Sequence, residues 1–174
     1  MNMNSVIVQG DGNSIGNIYQ GNGHGKSSNI PSNSFSHHVS EETFDVALSY
    51  ASEQEKFVSR VEKILKGEGV KVFFAPDCEK EYKAKDMFQK FYEIYRYRSN
   101  YVVCFVSKEY LKKDYTMHEY ECAFLKNKDV EENRIIVVNF DGSSLPHLDS
   151  DINFIDAQKN REVQVADSIL RIIR

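Results

Sequence analysis

No stretch of this chain approaches the roughly 18 consecutive apolar residues that a membrane-spanning helix needs. Its first residues, MNMNSVIVQGDGN, hold no basic cluster and an apolar run of only three residues, so they do not read as a secretory leader. Basic charge is not in excess: 22 Lys and Arg are scattered among 26 Asp and Glu, for a net charge of −4. No basic stripe marks a nucleic-acid or anionic-membrane surface. Cysteine is scarce. Cys78, Cys104 and Cys122 are odd in number and lack paired close spacing, which argues against a disulfide framework and a structural zinc site. The expectation is a soluble, cytoplasmic protein that binds neither nucleic acid nor membrane. What is present, 41% hydrophobic residues over 174 positions, is enough for one well-buried domain and not for two.

Six of the nine glycines lie between Gly10 and Gly25, and residues 26–42 are rich in Ser, Asn and His, a linker composition. Within residues 1–25 there is an 11-residue echo, in which Ile7-Val8-Gln9-Gly10-Asp11-Gly12 returns as Ile18-Tyr19-Gln20-Gly21-Asn22-Gly23. Such a unit cannot bury its short apolar pairs alone. Two copies read as strand-turn-strand pieces that stack on each other or on identical chains, the alternative being a polar tail without fixed structure.

From residue 43 to the C-terminus the texture changes to alternating strand and helix signals, the pattern of a parallel sheet covered by helices on both faces. Residues 44–49 form a strand signal. Ser52-Glu53-Gln54-Glu55 has capping-box spacing ahead of a helix with Phe57, Val61, Ile64 and Leu65 on one face, ended by Gly67 and Gly69. Strands are expected at 70–74, 101–106, 134–138 and 153–155. Helices are expected over 87–96, around Tyr120, Ala123 and Phe124, and at the end of the chain, where Val165, Ala166, Ile169, Leu170 and Ile173 make an apolar stripe. The fold class that follows is α/β, a flavodoxin-like five-stranded parallel sheet of order 2-1-3-4-5 flanked by helices.

Two other chemistries fail on inspection. Gly21-Asn22-Gly23-His24-Gly25-Lys26-Ser27 is one residue short of a phosphate-binding loop, and the following SNIPS cannot open the helix that such a loop needs. A phospho-accepting receiver shares the sheet order but needs acidic residues after its first strand and an Asp after its third; Ser49-Tyr50 and Ser107 stand there instead. His37 and His38 form no metal-ligand set with nearby carboxylates and read as solvated loop residues.

In open parallel sheets ligands collect beyond the carboxyl ends of the strands, where strand order reverses. Three segments meet there: residues 49–52, residues 75–83, and Ser107 onward to Tyr115-Thr116-Met117-His118-Glu119. Tyr115 and Glu119 are four apart at a helix start, so a ring and a carboxylate share one face, a pairing suited to a cationic aromatic ligand. The competing reading is that Tyr115 packs and Glu119 is a solvated charge. Glu121, two positions on, points elsewhere.

These residues also resemble a family. Phe44-Asp45-Val46-Ala47-Leu48-Ser49-Tyr50 is similar to the opening box of Toll/interleukin-1 receptor (TIR) domains, and residues 74–80 resemble their loop after the second strand. Tyr115-Thr116-Met117-His118-Glu119 is similar to the W-x-x-x-E motif of bacterial members, and Asn139-Phe140-Asp141-Gly142, Leu145-Pro146 and Phe154-Ile155-Asp156 further on resemble the same bacterial subgroup. Two positions depart from the pattern: Tyr115 replaces Trp while keeping an aromatic face, and Ala84 stands where the loop usually has Gly.

The resemblance implies an enzyme that cleaves NAD+ as substrate at the nicotinamide–ribose bond, needs no cofactor or metal, and acts in antiphage defence or cell-death signalling. Glu119 carries over as the catalytic residue. Ser49, Tyr50, Asp77, Lys80 and Tyr115 carry over as candidate substrate binders. Activation by self-association through the TIR domain is implied as well. Val8-Gln9-Gly10-Asp11-Gly12-Asn13 resembles short amyloid-signalling motifs akin to the RIP homotypic interaction motif, which implies an upstream sensor sharing that motif. A non-catalytic adaptor working through TIR–TIR contacts is the alternative, and a nucleoside hydrolase on the same fold a third.

Overall fold

A computed structural model describes residues 42–78, 84–130, 132–148 and 152–174, without the side chains of residues 77, 78, 84–87 and 130. The Gly/Asn-rich segment 1–25 and nearly all of the linker therefore lie outside the described residues. The chain runs β1 (Phe44–Tyr50), a single 3-10 turn (Ser52–Gln54), α1 (Glu55–Gly67), β2 (Val72–Phe73), α2 (Ala75–Cys78) and α3 (Ala84–Glu93). It continues through a π-helical turn (Ile94–Arg98), β3 (Ser99–Val106), α4 (Lys108–Lys112), α5 (Asp114–Val130), β4 (Ile135–Asn139), β5 (Asn153–Asp156) and α6 (Glu162–Ile173).

All five strands pair in parallel in the order β2-β1-β3-β4-β5, the order read from the sequence. Side chains alternate across each strand. Val46 and Leu48 of β1, Val103 and Phe105 of β3, and Ile136 and Val138 of β4 face a core closed by α1 and α6. Ala47, Val102, Cys104, Ile135 and Val137 face the opposite core, where Tyr95, Tyr110, Tyr120 and Ala123 pack. A parallel sheet covered on both faces requires these near-continuous apolar runs. The stripe of α6 works as its spacing predicts: Val165, Ala166, Ile169 and Leu170 are buried against α1 and β5.

The structure departs from the sequence expectations locally. The capping box at Ser52 does not form. The chain enters α1 through the 3-10 turn, and the Ser52 hydroxyl is engaged by Lys113 Nζ at 2.8 Å instead of by a backbone amide of α1. The second strand shrinks from 70–74 to Val72–Phe73 because Gly69 turns the chain at φ +82° and Ala75 already starts α2. The helix expected over 87–96 begins earlier and widens into the π turn from Ile94. Residues 107–113, expected as loop, contain α4, capped by Ser107 Oγ accepting from the Tyr110 amide. The strand expected at 134–138 is shifted one residue to Ile135–Asn139.

Candidate active site

The sheet order reverses between β1 and β3, whose register pairs Ser49 with Cys104 and Tyr50 with Phe105 at their carboxyl ends. A cavity of about 460 Å³ opens there. Leu48 and Tyr50 line it from the end of β1, Ser52 from the 3-10 turn, Ala75 and Pro76 from α2, Phe88 and Phe91 from α3, Tyr95 from the π turn, and Tyr115 and Glu119 from α5. Glu55 at the start of α1 adds a second carboxylate to the lining. The wall is thus largely aromatic, with two acids and no Lys, Arg or His among its described lining residues. Among the described residues no group of three or more His, Cys, Asp or Glu is placed to hold a metal ion.

Tyr115 and Glu119 occupy successive turns of one face of α5, as their spacing predicts. Tyr115 is 39% exposed at the mouth, with Lys113 Nζ 5.9 Å from the centre of its ring. Glu119 is only 4% exposed and lies at the inner end. Its Oε2 accepts a 2.6 Å hydrogen bond from Ser49 Oγ. Burial raises its carboxyl to about 8, against the opposing pull of the Ser49 and Tyr95 hydroxyls beside it. Glu121, by contrast, is exposed on another face. The reading of Glu119 as a solvated helix charge is therefore excluded. Between the two, Thr116 is fully buried and its hydroxyl shares one proton between the carbonyls of Tyr110 at 2.5 Å and Lys113 at 2.9 Å, fixing the α4–α5 junction. His118 is not part of the cavity lining; its ring contacts those of Phe88 and Tyr92.

The other residues singled out from the sequence divide. Tyr50 lines the cavity and stacks on Phe74 with ring centres 5.5 Å apart. Ser49 is adjacent but does not line it. At 0% exposure it lies beneath Glu119. Asp77 belongs to α2, but its side chain lies outside the described residues, as does all of Lys80. Three aromatic residues escaped the sequence reading as site residues. Phe88 and Phe91 fall at helical spacing within the helix expected over 87–96, and Tyr95 continues that face as the i+4 neighbour of Phe91. Its hydroxyl donates to the Leu48 carbonyl at 2.8 Å. The pattern Phe88–Phe91–Tyr95 was a visible signal for a wall, but a core and a cavity lining share it.

The TIR domain family model matches residues 46–170. The chain belongs to the TIR-domain family. This TIR domain is 34% identical over 125 residues to the 3′ cyclic ADP-D-ribose synthase AaTIR of Aquimarina amphilecti, an alignment covering 71% of the chain and 38% of that protein. It is 26% identical over 151 residues to the probable 2′ cyclic ADP-D-ribose synthase TcpO of Methanobrevibacter olleyae, covering 86% and 43% respectively. The chain thus spans less than half the length of either relative. Among solved structures, the TIR domain of the Toll-related receptor TRR-2 from Hydra magnipapillata superposes with a TM-score of 0.59 at 18% identity, covering 76% of the chain and 99% of that domain. That likeness is one of fold.

Proposed function

We propose that this TIR domain cleaves the nicotinamide–ribose bond of NAD+, with Glu119 as the catalytic carboxylate. The observation that carries the reading is the placement of one buried carboxylate at the inner end of an aromatic cavity at the switch point of the sheet. The names of its two relatives point the same way, since a cyclic ADP-ribose is NAD+ that has lost nicotinamide and closed on itself.

The chemistry suits what is there. Nicotinamide in NAD+ is already a cation, so its departure as a neutral ring needs no general acid. The ribose left behind is oxocarbenium-like, and a nearby carboxylate stabilises it. A carboxyl raised to about 8 is largely protonated in the empty cavity near neutral pH. The cationic substrate reverses that, because an opposite charge within a few ångströms favours the ionised form. The carboxylate so formed faces the developing positive charge and can then accept the proton of the incoming nucleophile. Water gives ADP-ribose; a hydroxyl or ring nitrogen of the same molecule gives a cyclic isomer. Tyr50 and Tyr115 supply aromatic surface for the substrate, and Asp77 and Lys80 complete its contacts.

Self-association through the TIR domain raises activity in this account. Residues 1–25 serve as the assembly element, paired with a sensor carrying a like motif, in antiphage defence or cell-death signalling. The test is to incubate concentrated full-length protein with NAD+ and follow nicotinamide and the adenine-containing product by chromatography. Release of nicotinamide with formation of ADP-ribose or a cyclic isomer is expected. Intact NAD+ at every protein concentration favours the adaptor, and consumption of free nucleosides alone favours a nucleoside hydrolase.

A further inference from the structure

The floor beneath the Glu119 carboxyl is built from hydroxyl groups. Ser49 Oγ donates to Glu119 Oε2 at 2.6 Å, and the Tyr110 hydroxyl lies 2.7 Å from the same Ser49 oxygen. A serine hydroxyl has a single proton. With that proton committed to the Glu119 carboxylate, Tyr110 must be the donor to Ser49. While Glu119 is ionised, the order runs Tyr110 to Ser49 to Glu119. The far end is tied back to the same helix, because Thr116 of α5 holds the Tyr110 carbonyl at 2.5 Å. The circuit starts and finishes on α5, passing through α4 and β1, and every member of it is buried.

Among the described residues, the titratable groups that interact with Glu119 or share its cavity are Tyr50 on β1, Glu55 on α1, Tyr95 on the π turn, Cys104 on β3, Tyr110 on α4, and Tyr115 and Cys122 on α5. None of these is a cation. Burial pushes the Cys104 thiol up to about 12 and holds the Tyr95 and Tyr110 phenols well above their ordinary range. All three are neutral in the folded domain. A carboxylate tied to Lys or Arg would have its charge partly cancelled. One held only by neutral donors keeps its full charge for the reacting ribose.

We propose that Ser49 and Tyr110 are positioning residues that orient the Glu119 carboxylate toward the cavity through this neutral hydroxyl relay. The relay also reverses. When Glu119 is protonated it becomes the donor to Ser49, Ser49 donates to Tyr110, and the phenol proton turns to the neighbouring Cys104 sulfur. The proposal rests on Glu119 being the reacting carboxylate.

The experiment uses full-length protein with Ser49→Ala and Tyr110→Phe, each removing one hydroxyl and little volume, beside Tyr120→Phe, which removes a buried hydroxyl bonded to the Pro146 carbonyl. The first readout is the pH profile of nicotinamide release. The second, independent of turnover, is the carboxyl-carbon NMR titration of Glu119 without NAD+. Loss of a hydrogen bond to the charged form is expected to move the Glu119 midpoint upward by about one to two pH units in Ser49→Ala. A smaller move in the same direction is expected in Tyr110→Phe and none in Tyr120→Phe. Unmoved NMR midpoints in both relay variants would overturn the relay even if activity fell. If the wild type releases no nicotinamide, the proposed function fails, and the NMR titration still decides the relay.

Discussion

Replacing Glu119 with Gln tests the electrostatics of the site without reference to any substrate. A carboxyl whose ordinary value is 4.5 and which rises to about 8 in the folded chain binds its proton more tightly when folded than when unfolded. Its contribution to stability is therefore fully present below about pH 4.5 and is lost as pH rises through about 8. At about 1.4 kcal/mol per unit, the rise corresponds to about 5 kcal/mol over that window. A typical domain has only about 5–15 kcal/mol of net stability, so the effect is large. Glutamine keeps the shape and an oxygen to accept from Ser49, but it has no charge to bury. Urea unfolding of the wild type and Glu119→Gln from about pH 4 to about pH 9 isolates the term, because all other titrations are shared. The two proteins should be nearly equal in stability at the acid end. The Gln variant should become more stable by several kcal/mol at the alkaline end. Parallel curves would refute the reasoning, since they would mean that Glu119 meets the same surroundings folded and unfolded.

Other substitutions separate the forces at work. Tyr115→Ala should lower kcat/KM for NAD+ about tenfold by removing a stacking face, and Tyr115→Trp should retain activity, both read from initial rates of nicotinamide release. Ile169→Ala, in the core between α6 and the sheet, should cost about 2–5 kcal/mol in urea unfolding. Arg60→Ala, which removes the exposed bond to Glu162 between α1 and α6, should leave the midpoint almost unmoved in the same measurement.

The sheet was legible because a parallel sheet leaves long apolar runs such as residues 101–106 and 135–138, and short connections leave few orders for them. Glu119 was legible in part: its spacing from Tyr115 placed both on one face, while the solvated alternative stood open until burial closed it. Ser49 carries over from the family resemblance as a substrate binder, and the strand pattern offers no check on that, because it does not say which face at the end of β1 meets the cavity. Tyr110 was invisible. The helix that carries it is only five residues long, too short to announce itself by periodicity, and its hydroxyl matters through a bond to a residue 61 positions away. The capping box at Ser52 failed for a similar reason, a long-range partner, Lys113, having claimed the hydroxyl.

The central claim is that Glu119 acts on the ribose of NAD+, and the most direct measurement is nicotinamide release by assembled protein for the wild type, Glu119→Gln and Glu121→Gln. Glu121 lies two residues away on the exposed side of α5, and Glu121→Gln makes the same chemical change outside the cavity. The account predicts release by the wild type and Glu121→Gln, and loss of at least about a hundredfold in Glu119→Gln. Equal release by the wild type and Glu119→Gln would contradict it.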